Sequence, residues 1–305
     1  MYRALFLAVL LGATAARAEA PRVVADIAPV HSLAAQVMDG VATPTLLLPQ
    51  GADPHSFQMR PSQVRHLSGA DLVIWVGRDM TPWLERALTG TGDAASLSLL
   101  TVKGTHLRKG DQSHDHDHGD DHNDDHDSTP QDGARVDPHA WLSPENAAIW
   151  LLAIADELAA LDPENAQTYQ KNAAQARANL IQMDHEIQQI LAPLRTVGFV
   201  LYHDAYGYFT EHYQLNALGT VRESDAAPPS AARLRQITDL IAAGKVACAF
   251  AEVFQDEQVM ATLVEGTPAK LGLLDPSGAT LPPGVDHYDA LLRGQSKAFL
   301  DCLSP

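Results

Sequence analysis

The chain has 305 residues, 46% of them hydrophobic, with 38 acids against 21 bases and a formal net charge of −17. That balance argues against nucleic acid or an anionic membrane as partner and suits a protein that accumulates cations. The length exceeds one ordinary core and calls for two domains.

Residues 1–18 read as a secretory signal peptide. Arg3 is a short positive start, residues 4–11 are apolar, and Ala16-Arg17-Ala18 is a small-x-small cleavage signal cut after Ala18. A membrane span needs roughly 20 apolar residues, far more than this stretch offers. No cysteine lies near the cut to carry a lipid, and nothing later is long and apolar enough to span. The expectation is an exported, soluble chain.

Strand-length apolar runs then alternate with amphipathic stretches. Residues 22–28 predict a strand and 29–39 a helix opened by Pro29 and stopped by Gly40. Residues 41–48 predict a strand, 62–69 a short helix, 71–77 a near-continuous apolar strand and 97–102 a fourth strand. Strands that are apolar throughout, separated by helices, mean a parallel sheet covered on both faces. Ser143-Pro144 and Asp162-Pro163 each read as a helix cap followed by proline. In the second of these helices Ala166, Tyr169, Ala173, Ala176, Leu180, Met183, Ile187 and Ile190 form one apolar stripe, ended by Pro193. At 1.5 Å per residue this helix would be roughly 45 Å long. A coiled-coil seam would look similar, but a single such helix between two α/β lobes is better read as a strut packed along both. The strand–helix pattern restarts at residues 197–202 and runs on through strands at 217–221, 245–250 and 269–274, with helices at 205–213, 230–243, 256–265 and 287–303. The predicted organisation is an N-terminal α/β lobe over 19–142, a helical connector over 143–193 and a C-terminal α/β lobe over 194–305.

Within the first lobe, residues 106–132 are rich in His and Asp and hold His114, His116, His118, His122 and His126 among acids. No apolar residue lies between Gly110 and Pro130, so the tract cannot bury a core and must be a solvated loop. Imidazole and carboxylate both ligate zinc-like ions. The plain alternative is an acidic loop with incidental histidines.

The chain has two cysteines, Cys248 and Cys302. In an exported protein an even pair reads first as a disulfide, worth about 4 kcal/mol for a loop of about 55 residues. Two buried thiols are the alternative.

Three further histidines have informative settings. His55 sits in Gly51-Ala-Asp-Pro-His-Ser-Phe, His139 in Val136-Asp-Pro-His-Ala-Trp, and His203 in Tyr202-His-Asp-Ala-Tyr. Each lies at or beyond a strand or loop end next to a helix start, where open α/β folds bind ligands. Proline before His55 and His139 stiffens the presenting loop. Asp53, Asp137 and Asp204 neighbour them in sequence and are the candidate acceptors for the imidazole N–H groups.

These segments together closely resemble the periplasmic zinc-binding proteins of the ZnuA type, substrate-binding components of ABC importers for zinc and manganese. The resemblance covers essentially the whole mature chain. It rests on Gly51-Ala-Asp-Pro-His-Ser-Phe-Gln-Met-Arg-Pro-Ser, on Asp71-Leu-Val-Ile-Trp-Val-Gly, on the His/Asp insertion, and on Pro138-His-Ala-Trp-Leu-Ser-Pro-Glu. It also rests on His203-Asp-Ala-Tyr-Gly-Tyr-Phe, on Ala251-Glu-Val and on Leu274-Asp-Pro-Ser-Gly. It implies two lobes joined by a rigid long helix, one metal site in the interlobe cleft, and His55, His139 and His203 as ligands of a transported Zn²⁺. Asp275, or a water, is the implied fourth ligand, because Pro54 stands where some relatives have a glutamate. The pair Cys248 and Cys302 matches a disulfide of some relatives. The implied function is zinc capture in the periplasm and delivery to an inner-membrane ABC permease with its ATPase, by a monomer.

Two other functions fit three histidines with an open position: a zinc hydrolase and a periplasmic zinc buffer without a transporter. Against the hydrolase, the chain has no His-Glu-x-x-His motif and no evident general base. The loop histidines are expected to bind extra zinc more weakly than the cleft, because ordering a mobile segment costs entropy. Zinc affinity is expected to fall below about pH 6, since unperturbed histidine titrates near 6.5.

Overall fold

The computed structural model describes residues 19–55, 57–90, 94–109, 136–222 and 228–305. The expected signal peptide and the five loop histidines His114, His116, His118, His122 and His126 lie outside the described residues.

The first sheet has four strands: β1 (Val23–Ala25), β2 (Thr45–Leu46), β3 (Leu72–Trp75) and β4 (Ala95–Ser98). Their order is β2-β1-β3-β4 and every pairing is parallel. The crossovers are α1 (Ala28–Val37), α2 (Pro61–Ser68) and α3 (Pro82–Leu88). The second sheet repeats the plan with β5 (Phe199–His203), β6 (Ala217–Arg222), β7 (Cys248–Glu252) and β8 (Lys270–Leu274), in the order β6-β5-β7-β8 and again all parallel.

Alternation along β5 explains why its sequence is apolar throughout. Phe199 and Leu201 enter one hydrophobic cluster while Val200 and Tyr202 enter another on the opposite face. A sheet covered on both sides leaves no polar face to write into the strand.

Two helices precede the second sheet: α4 (Pro144–Leu161) and α5 (Ala166–Leu191). Ser143 caps α4 as expected, its hydroxyl accepting the Asn146 amide at 3.2 Å. The second expected cap behaves differently. Asp162 ends α4, and its carboxylate accepts the Asn165 amide at 3.4 Å, the Asn165 side-chain amide at 2.7 Å and the Tyr169 hydroxyl at 2.8 Å in a turn over residues 162–165, while α5 starts at Ala166 with Asn165 as its cap. With 26 residues, α5 is about 39 Å long. Its buried stripe is Tyr169, Ala173, Ala176, Leu180, Met183, Ile187 and Leu191. The expected Ile190 is 40% exposed, because 3.6 residues per turn carries the stripe to Leu191 instead.

The remaining helices are α6 (Gly207–Tyr213), α7 (Ala231–Ala242), α8 (Glu257–Val264) and α9 (His287–Leu303). Helix α5 packs on α4, α1 and α9 and so touches elements of both lobes. One hydrophobic cluster runs from Val24 and Ile74 of the first sheet through Leu180 of α5 to Phe250 and Phe299. A disulfide joins Cys248 of β7 to Cys302 of α9, with the Cα atoms 6.0 Å apart, so the first reading of the cysteine pair holds. Among the described residues no helix is long and apolar enough to cross a membrane.

Candidate metal centre

Both sheets have the strand order in which the chain reverses direction across the sheet, and ligands of such sheets bind beyond the strand C-termini at that reversal. In the second sheet the reversal lies between β5 and β7. His203 is the last residue of β5 and Glu252 the last of β7. In the first sheet the matching crevice, between β1 and β3, is closed by Asp26. That carboxylate is fully buried and accepts the Ile27 amide at 2.8 Å and the Val76 amide at 2.9 Å. Burial pushes its pKa up to about 7 against the pull of those amides. The first lobe therefore presents its histidines from loops outside its own crevice.

His55 lies on the loop after β2. Its amide donates to Asp53 Oδ1 at 2.9 Å, and Trp83 of α3 holds the preceding Pro54 carbonyl at 2.7 Å. His139 follows Pro138 and leads into a single 3-10 turn over Ala140–Leu142. Its amide and its ring Nδ1 both reach Asp137 Oδ1, at 3.0 and 2.9 Å. The turn is tied across to the second lobe, since Trp141 Nε1 donates to the Pro276 carbonyl at 2.8 Å.

The structure brings the three histidines together. Ring centroids stand 5.5 Å apart for His55 and His139 and 5.5 Å apart for His139 and His203. Imidazoles sharing one tetrahedral zinc at about 2.0–2.1 Å have centroids about 5 Å apart. Among the described residues no three His, Cys, Asp or Glu side chains form a group that could hold a metal ion as they lie, so sharing one calls for a local rearrangement of these side chains. His139 and His203 are buried, and His55 is half-buried.

The carboxylates around the rings match expectation in one case and depart from it in another. Asp137 meets the His139 ring as its spacing suggested. At His203 the carboxylate beside Nδ1 is Glu252, with Oε1 at 2.6 Å though out of line for a full hydrogen bond. Asp204 instead lines a polar cavity of about 480 Å³ with Arg108, Arg195 and Arg233. Sequence reasoning missed Glu252 as a partner. Its signal was an acid ending an otherwise apolar strand.

Asp275 follows β8, and its carboxylate accepts the Ala279 amide at 2.8 Å, the Thr280 amide at 2.9 Å and the Thr280 hydroxyl at 2.8 Å. A carboxylate offers about four lone-pair sites, so these three bonds leave room for one more partner. Asp275 is also near the cluster electrostatically. The fully buried Tyr206 hydroxyl is held well above its ordinary pKa by burial first, then by the charges of Glu252 and Asp275, and its ring lies 6.3 Å from that of His203. His66, His106 and His185 are exposed. The buried His31 and His287 hold backbone carbonyls, of Pro44 in one case and of Ser277 and Pro282 in the other.

Residues 23–302 match the family model described as zinc-uptake complex component A, periplasmic (ZnuA). The chain is 46% identical over 318 residues to the high-affinity zinc uptake system protein ZnuA of Paracoccus denitrificans, covering 98% of this chain and 97% of that one. It is 34% identical to the protein of the same name from Brucella suis, covering 98% and 96%. A crystal structure of ZnuA superposes with a TM-score of 0.78 at 24% identity, covering 93% of this chain and all of that one, a likeness of fold. A family match from the first strand to the last helix, with relatives similar over nearly their whole length, places this chain in the periplasmic zinc-uptake component A family.

Proposed function

We propose that this protein is exported by residues 1–18, captures Zn²⁺ in the periplasm and hands it to an inner-membrane ABC permease and its ATPase, working as a monomer. His55, His139 and His203 bind the ion, and Asp275 or a water completes the coordination. The lobes over 19–142 and 194–305 form the walls of the cleft, on the connector 143–193. The observation that carries this reading is the ring cluster itself: three imidazoles from three separate segments, two with a carboxylate at Nδ1. A ring engaged at Nδ1 keeps Nε2 for the ion, and neutral imidazoles suit zinc better than harder cations. The direct experiment is the metal content of the purified chain, with competitive zinc titration and growth of a deletion strain on low zinc. A protein that carries no zinc, or whose loss leaves zinc-limited growth intact, would end this reading.

Replacing Glu252 by glutamine should weaken zinc binding about 10- to 100-fold, the usual cost of an outer partner, with little change in thermal midpoint. A competition curve that overlays the wild type would remove Glu252 from the site.

The His- and Asp-rich tract is read as an auxiliary, weaker collector of zinc. Removing residues 112–133, which spares the segment ending at Lys109, should abolish the weak phase of a calorimetric titration and leave the tight one. Loss of the tight phase with survival of the weak one would reverse the two assignments.

A further inference from the structure

We propose that Arg108 is the positioning residue for His139, acting through Asp137, and that it fastens the root of the His- and Asp-rich tract to the metal cleft. The proposal rests on the zinc site above and concerns the layer behind it. Asp137 is buried at 3% exposure. Its Oδ1 serves His139, and its Oδ2 accepts Arg108 Nη1 at 3.2 Å. A buried carboxylate needs a paired charge and filled lone pairs to be tolerable, and Arg108 supplies both.

Arg108 is itself held from four directions. Its Nε donates to Glu211 Oε2 of α6 at 2.8 Å, and its guanidinium lies 5.6 Å over the Tyr208 ring. Its amide donates to the Tyr208 hydroxyl at 2.9 Å, and that hydroxyl donates to the Asp137 carbonyl at 2.9 Å. The Asp137 amide returns to the Arg108 carbonyl at 3.0 Å, beside an antiparallel bridge between Lys109 and Val136. The chain entering residues 110–135 is thus zipped to the chain leaving them, and the zip ends on the carboxylate that orients His139.

Gly207 supplies an independent observation. A Cβ at this first residue of α6 would fall 1.1 Å from Arg108 Nη1. The position needs the missing side chain rather than an unusual backbone, and what fills the space is the guanidinium. A loop-root arginine of the first lobe is therefore seated in a notch of the second, with His139 fixed by the same contact. With Nδ1–H directed at Asp137, the His139 lone pair on Nε2 is left for the ion.

The test uses Arg108→Met and Gly207→Ala in the full chain. The second keeps the guanidinium but drives it off its seat, and the atom displaced is the end of a flexible side chain, so α6 can stay. Both variants should weaken zinc binding about 10- to 100-fold when measured on folded protein, with lowered thermal midpoints because buried Asp137 loses its paired charge. Arg108→Lys, which keeps the charge without the planar fork, should recover part of the loss. Proton–nitrogen NMR of metal-free protein should show the His139 Nδ1–H tautomer in the wild type and a mixture in both variants. Wild-type affinity with an unchanged His139 signal in both would overturn the proposal, as would a loss of affinity that only tracks a loss of folded protein. If Arg108→Met does not fold, Gly207→Ala decides. If His139→Ala loses zinc while both variants retain it, the role of Arg108 falls and the site stands. If His139→Ala retains zinc, the site reading itself falls.

Discussion

Replacing His139 by alanine should lower zinc affinity by well over the roughly 100-fold that loss of an outer partner can cost. His139 is the middle ring of the cluster, 5.5 Å from both His55 and His203, and only 3% exposed. Alanine removes one of three imidazoles and takes one of the two donors from Asp137 Oδ1, which keeps the residue 139 amide. Competitive titration against a chelator of known affinity reads the change, and a wild-type curve would refute the assignment. Acid should mimic the substitution, because zinc and the proton compete for the same imidazole lone pair. Affinity that stays flat from pH 7.5 to 5 would mean that carboxylates dominate the coordination.

The second large effect concerns stability. Exchanging both Cys248 and Cys302 for alanine should cost about 4 kcal/mol, the chain-entropy value for a closed loop of this size. The sequence separation of 54 encloses α8, β8 and most of α9, which is much of the second lobe. The link also joins two elements already packed together through Phe250 and Phe299, whose rings are 4.8 Å apart. The alanine chain should keep its fold at low temperature and unfold at a lower urea midpoint. A midpoint shift of under about 1 kcal/mol would mean that the unfolded ensemble keeps this region compact without the bond. Metal-free protein is the sample to use, since bound zinc stabilises the native state by mass action and would mask part of the difference.

The parts of the fold legible in the sequence were those with a local cause. Continuous apolar runs such as Leu72–Trp75 and Phe199–His203 announce doubly covered strands, and Ser143-Pro144 announces a cap. Helix α3 was missed, because seven residues between Pro82 and Leu88 give too short a window for periodicity. The fourth strand was expected at 97–102 but lies at Ala95–Ser98, with a 3-10 turn over Leu99–Thr101. As the edge strand β4 is only half-buried, so the apolar run marks the turn that enters the core rather than the strand. The loop settings singled out the three histidines whose rings cluster, but the carboxylates beside them were only partly legible. Asp137 is two residues from His139, close enough for spacing to suggest it. Glu252 lies 49 positions after His203 and meets it only because β7 pairs with β5, a consequence of sheet order that no local pattern encodes.

The hydrophobic cluster that runs without a break from the first sheet through α5 to Phe299 bears on how binding free energy is used. Where a ligand must first select a rare closed form, its apparent affinity falls by the fraction of molecules in that form. Walls that share one interior leave little room for an open population, because separating them would expose apolar surface at about 25 cal/mol per Å². Separating the walls is then not the adjustment that capture calls for, and its strength is set by how the donor side chains reorient onto the ion. On the capture-and-delivery reading proposed above, the work of loosening the ligands at release falls to the machine that receives the ion.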